Sequence, residues 1–167
     1  DFINLLLSGV CPDQIRPFFF GGRLIALTKK DGGIRPIAIG MTWRRLAAKC
    51  ANAYATDATR GMFCPLQLGV GVPGGAEAAV HVARRYLDNL QPGHAMVKLD
   101  FHNAFNSLRR DSMLEAVKAE IPLIYNFFRL SYAGSSHLIY EDNLASSEEG
   151  PQQGDPLGPL LFSLTVH

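Results

Sequence analysis

Charge of one sign is not in excess in this sequence. Its 16 Lys and Arg face 15 Asp and Glu, for a net charge of +1. No global basic field marks a nucleic-acid binder, so any such reading must rest on local charge. Cysteine is scarce as well. Cys11, Cys50 and Cys64 are too few and too scattered for a disulfide framework or a zinc knuckle, which favours a reducing, intracellular setting, nuclear or cytoplasmic. No apolar run reaches about 18 residues, so no membrane span is expected. Residues 1–10 (DFINLLLSGV) carry no basic leader and no starting Met, and do not read as a signal peptide. Internal repeats, low-complexity tracts and long linkers are also missing. The chain starts mid-pattern and stops at LLFSLTVH, inside an apolar helical run, so both ends are expected to be cuts from something longer.

What is present is globular. Hydrophobic residues make up 47% and charged residues 19% of 167, enough for one compact domain with a real core. Residues 23–40 predict a hairpin, LIALT and IRPIAIG joined by KKDGG, whose glycines supply the positive φ of a tight turn. Pro36 within the second run points to an edge position or an irregular strand. A helix is expected over 42–59, with Thr42 as N-cap and loose apolar stripes at Leu46, Cys50, Ala53 and at Ala47, Ala51, Tyr54. The stretch 65–75 holds four glycines and two prolines and predicts a loop, followed by a helix over 76–90. AMVKLDF (95–101) alternates as a strand, with Met96, Lys98 and Asp100 on the less apolar face. Helices are expected from Asp111, where Ser112 and Glu115 have capping-box spacing, and over 122–132. A second hairpin covers 137–149. A last helix starts at Asp155-Pro156, with Leu157, Leu160, Leu161 and Leu164 as its stripe. The sum is an α+β domain, helices packed on a small antiparallel sheet.

Several residues suit phosphate chemistry. Asp100, near a strand end, is placed to hold a divalent cation, with the next carbonyl, that of Phe101, sharing it. Most Asp residues are simply solvated, so Asp100 does not carry the reading alone. Phe105 is either a core aromatic or a platform beneath a sugar. Lys29, Lys30 and Arg35 put three cations near a hairpin tip, which suits a triphosphate. Arg44, Arg45 and Lys49 lie on the helix after it. Arg45 and Lys49 are i, i+4 neighbours that repel unless an anion is near; a nucleic-acid phosphate or a solvated face both satisfy them. In GPQQGDPLGPLLFSL, Gln153 can hydrogen-bond a base or sugar, and Gly154 lets backbone approach a ligand closely.

The order of these items resembles the reverse transcriptases of non-LTR retrotransposons and their group II intron relatives, from about residue 20 to 167. LIALTKKDGGIRPIAIG looks like the fingers hairpin, where Lys29, Lys30 and above all Arg35 would hold the triphosphate. TWRRLAAK is similar to the helix after it. LQLGVGVPGG resembles the Gln-x-Gly-Phe loop, keeping Gln67 and Gly69 with Val70 for the aromatic. VKLDFHNAFNSL resembles motif A, with Asp100 the metal ligand, Phe101 offering its carbonyl and Phe105 the sugar gate. QQGDPLGPLLFSL closely matches motif B, with Gln153-Gly154 its central pair. Asn106 and Gln152 depart from the family pattern. The aromatic-x-Asp-Asp of motif C does not occur and is expected beyond His167.

The resemblance implies a right-hand polymerase fold with fingers over 1–92 and part of the palm over 93–167. It implies template-directed transfer of dNTPs to a primer 3′-hydroxyl, with two Mg²⁺ (or Mn²⁺) in the complete enzyme. RNA template, DNA or RNA primer and dNTPs would be its partners, and Arg44, Arg45, Lys49 and Gln67 would touch nucleic acid. One carboxylate leaves two ions short of ligands, so these residues alone are expected to be inactive. Two alternatives stand beside it. An RNA-dependent RNA polymerase would need a polar residue where Phe105 stands. A decayed or domesticated remnant would still bind RNA without catalysis.

Overall fold

The computed structural model describes residues 2–167. In chain order these form α1 (Phe2–Leu7), α2 (Arg16–Phe19), β1 (Gly22–Thr28), β2 (Ile34–Gly40), α3 (Thr42–Phe63), α4 (Gly75–Asp88) and α5 (Arg110–Glu120). A 3₁₀ turn (Pro122–Ile124), α6 (Tyr125–Tyr132), β3 (Ser136–Tyr140), β4 (Asn143–Ser147) and α7 (Gly158–Val166) follow. The α+β class expected from the sequence holds.

The sheet order is β2-β1-β3-β4. Both hairpins form, and Pro36 lies on β2, an edge strand, where its missing N–H breaks no ladder. The sheet is mixed rather than wholly antiparallel. β1 and β3 pair in parallel, through Gly22↔Leu138 and Arg23↔Ile139, because the two hairpins dock side by side in the same sense.

The core lies off the sheet, among α3, α5, α6 and α7. Ala47, Ala48, Ala51 and Ala55 of α3 face Met113, Val117, Phe127, Phe128, Leu157, Leu160, Leu161 and Leu164. The small α3 side chains give the neighbouring helices a smooth face to approach. The Leu stripe of α7 is buried as its spacing predicts. On α3 the buried face differs from the expected one: Leu46 and Cys50 are exposed, and the buried line runs Arg44, Ala47, Ala48, Ala51, Ala55, Thr59, Phe63. The helix also runs four residues further than expected, to Phe63, and Thr42 makes no capping hydrogen bond.

Two helix starts differ as well. At α5 the Ser112–Glu115 box is not used; Asp111 accepts from the Ser112 N–H and pairs with Arg109. α7 begins at Gly158 rather than at Asp155, but the Asp155 carboxylate still serves its entry: Oδ1 accepts from the Leu157 N–H at 2.9 Å while Oδ2 turns to Arg44.

The strand expected over 95–101 does not form. Val97, Leu99 and Phe101 are 76%, 77% and 67% exposed, and residues 94–101 have no ladder partner. Alternation prepares a segment for a sheet, but a strand exists only when its N–H and C=O groups are paired. The sheet's own edges, β2 and β4, do not receive it. Among the described residues, no helix is long and apolar enough to cross a membrane.

Candidate functional site

Three segments far apart in sequence meet at one cleft of about 470 Å³. It is lined by Arg35 and Ile37 of β2, Phe105, the run from Gln152 to Asp155, and Gly158 and Pro159. Two glycines make the meeting fit. Gly154 has φ +109°, and a Cβ there would stand 2.7 Å from the Ala38 carbonyl oxygen and 3.2 Å from Ile37 Cγ2. The turn therefore presses directly on β2, and the Ala38 N–H donates to the Gln153 carbonyl at 2.7 Å. Gly150, at φ +56°, lies where a Cβ would be 1.9 Å from the Phe105 carbonyl oxygen. Its N–H donates to the Leu108 carbonyl at 3.0 Å, which holds the Phe105 segment against the turn.

The Phe105 ring packs edge-on against Phe162, centroids 5.5 Å apart, and is half-buried. The side-chain oxygen of Gln153, Oε1, is buried without a hydrogen-bond partner. An unpaired buried acceptor costs about 1–3 kcal/mol. Arg35 also lines an adjoining hollow of about 440 Å³ with Lys29, Lys30 and Asp31. All three cations are exposed, and Asp31 is the carboxylate among them.

Of the residues the sequence singles out, the structure thus brings together Arg35, Phe105, Gln153 and Gly154, with Lys29 and Lys30 next door. Asp100 is not with them. It is exposed, lies on the unpaired segment and lines neither hollow. The Phe101 ring lies 6.4 Å, centroid to centroid, from that of Phe162. Among the described residues, no group of three His, Cys, Asp or Glu can hold a metal ion. Mg²⁺ needs an octahedron of oxygens, and Asp100 with one carbonyl supplies two corners. These residues do not by themselves fit the ion. Gln67 turns its Oε1 back to its own loop, accepting from the Gly69 N–H at 2.6 Å. Arg45 and Lys49 are exposed, and Arg45 borders the backside of the turn near Gly154 and Pro156.

Arg44 is a correction. It is 2% exposed and faces inward, so it is unavailable to nucleic acid. Its Nη1 donates to the carbonyls of Phe20 (2.7 Å) and Gly21 (3.3 Å) and to Gln152 Oε1. Its Nη2 pairs with Asp155 at 2.6 Å and reaches the Tyr132 hydroxyl at 3.4 Å. Tyr132 in turn donates to Asp155. Gln152 Nε2 donates to the Phe20 carbonyl and to Ser136 Oγ. Burial, and then the Asp155 charge, push the Tyr132 phenol well above its ordinary pKa. A second buried arginine, Arg110, donates to the carbonyls of Gly150 (3.1 Å) and Ser147 (2.8 Å) and lies over the Tyr132 ring. Burial pulls its pKa down.

Neither arginine's role is evident from sequence. For Arg44 a signal existed: Ala47, Ala48 and Ala51 form the buried face, and Arg44 lies one turn ahead on it. Nothing comparable marks Arg110.

Comparison with known proteins adds one finding. The chain is similar to a retrotransposable-element protein. It is 30% identical over 148 residues, 84% of its length, to the retrotransposable element SLACS 132 kDa protein of Trypanosoma brucei gambiense. The matched region spans 12% of that relative. No family model matches the chain.

Proposed function

We propose that this chain is the nucleotide-binding part of an RNA-directed DNA polymerase of the non-LTR retrotransposon type, with fingers and part of a palm. The observation that carries the reading is the single cleft lined by Arg35, Phe105, Gln153 and Gly154. These four come from three separate stretches of sequence, each of which the resemblance assigns to the nucleotide. Similarity to a retrotransposable-element protein supports the same reading.

In this reading a deoxynucleoside triphosphate lies in the cleft. Its phosphates extend toward Arg35, Lys29 and Lys30, where cations offset their charge. Gln153 Oε1 accepts a hydrogen bond from the ligand, meeting the need of its buried oxygen. The edge of Phe105 lies under the sugar and collides with a 2′-hydroxyl, which disfavours the RNA-polymerase alternative. RNA template and a primer run along the exposed cations of α3. Catalysis at the primer 3′-hydroxyl requires Mg²⁺ held by Asp100 together with ligands outside this set, so no chemical step is assigned to these residues alone.

The test is a titration of the chain with dATP and with ATP, before and after Phe105→Val. The unaltered chain is expected to favour dATP. The variant should narrow that preference by about tenfold, equivalent to 1.4 kcal/mol. Equal discrimination in both proteins removes the gate role, and no binding of either nucleotide removes the reading. The alternative is a remnant that binds RNA without catalysis. RNA binding without any nucleotide binding would select it.

A further inference from the structure

Gln152 and Asp155 bracket the pair that faces the cleft, Gln153 and Gly154. Both bracketing side chains end on one guanidinium. Arg44 Nη1 meets Gln152 Oε1, and Arg44 Nη2 meets Asp155 Oδ2 at 2.6 Å. The same Nη1 meets the carbonyls of Phe20 and Gly21, just before β1. The other carboxylate oxygen of Asp155 accepts from the Leu157 N–H at 2.9 Å, at the entry to α7. The Arg44 and Asp155 side chains are each 3% exposed.

We propose that Arg44 is a positioning residue for the nucleotide cleft, clamping both ends of the Gln153–Gly154 turn and holding it against β2. The proposal rests on the nucleotide-binding reading above. A guanidinium is suited to the task because its five donors lie in a rigid planar fork. A lysine ammonium at the same place is a point charge that cannot span Gln152, Asp155 and two carbonyls at once. Gln152 Nε2 also donates to the Phe20 carbonyl and Ser136 Oγ, and the Tyr132 hydroxyl to Asp155, but none of these ties reaches β2. The turn's own backbone bond to β2 is the Ala38 N–H to the Gln153 carbonyl, so the hydrogen exchange of Ala38 reports whether the clamp holds.

The experiment uses Arg44→Lys and Asp155→Asn in the chain. Asp155→Asn keeps the side-chain shape, so it carries the test if Arg44→Lys does not fold. Two quantities are read: dATP affinity, and amide exchange at Ala38 relative to Ile121, whose N–H bonds to the Val117 carbonyl at the end of α5. The expected result is at least a tenfold loss of Ala38 protection with Ile121 unchanged, and at least a tenfold weaker dATP affinity. Equal loss at Ala38 and Ile121 would mean general destabilisation and would overturn the proposal. So would unchanged Ala38 protection in a folded variant, or a loosened Ala38 with dATP affinity intact. If the unaltered chain binds no dATP, the nucleotide reading fails, and the positioning role falls with it. Ala38 exchange then separately shows whether the clamp exists.

Discussion

Tyr132 shows how much a single buried hydroxyl can report. Its ring is fully buried, with the Arg110 guanidinium 5.3 Å from its centroid, and its O–H donates to Asp155. A phenolate there would face a carboxylate in a medium that solvates neither charge well. The pKa is therefore raised in the folded state, while the unfolded phenol titrates near its ordinary value of about 10. The sign follows. Below about pH 10 both states hold the proton and stability is intact. Above it only the unfolded state releases the proton, so stability falls as pH rises. Urea unfolding across this alkaline range should show a steeper loss for the native chain than for Tyr132→Phe. Parallel curves would mean the phenol is not held neutral by the fold.

The elements divide into those that are packed and those that only have the pattern for packing. α7 belongs to the first group. Leu157, Leu160, Leu161 and Leu164 are all buried against α3 and α5. Leu161→Ala should cost about 2–5 kcal/mol, the range for a buried leucine in a close-packed site, as measured by urea denaturation. A loss below about 1 kcal/mol would mean the α7 face is not packed as described. The segment from residue 95 to 101 belongs to the second group. Its apolar alternation is intact and its side chains are exposed, because no neighbouring backbone pairs with it. Asp100 shares its fate. A carboxylate placed by a strand is only as well placed as that strand.

Over the molecule as a whole, a net charge of +1 hides an uneven distribution. Arg45, Lys49 and Arg60 are exposed and recur along α3 at spacings close to whole helical turns, so they share a face. None joins an ion pair among the described residues; the two pairs found there are Arg44–Asp155 and Arg109–Asp111. Lys29, Lys30 and Arg35 form a second exposed group of cations at the hairpin tip. Binding of a single-stranded RNA oligonucleotide should therefore weaken with salt. Each Ala substitution at Arg45, Lys49 or Arg60 should reduce the log–log slope by about 0.7, the value for one phosphate contact on a single strand. A slope unchanged in the triple variant would place the RNA elsewhere. Arg44→Ala is not a fourth member of that series, because its charge is internal.

Local chemistry was readable without coordinates. Asp-Gly-Gly specifies the first hairpin, Pro36 an edge or irregular strand, the Leu spacing a buried α7, and Gly154 a loop whose backbone can come close to what it meets. These features depend on a few adjacent residues, whose backbone preferences and periodicity act over short range. Partnership across the chain was not readable in the same way. Arg44 sits in a run of cations that reads as a surface patch, yet the fold turns it toward Gln152, Asp155 and Tyr132. Residues 95–101 have the alternation of a strand and no partner to complete it. The parallel junction of β1 with β3 joins hairpins about a hundred residues apart. Whether a charge is buried or solvated, and whether an extended segment becomes a strand, depends on what another part of the chain brings to it. That is settled by three-dimensional packing, since the energy of a buried ion pair or a sheet ladder belongs to both partners and is encoded at neither position alone.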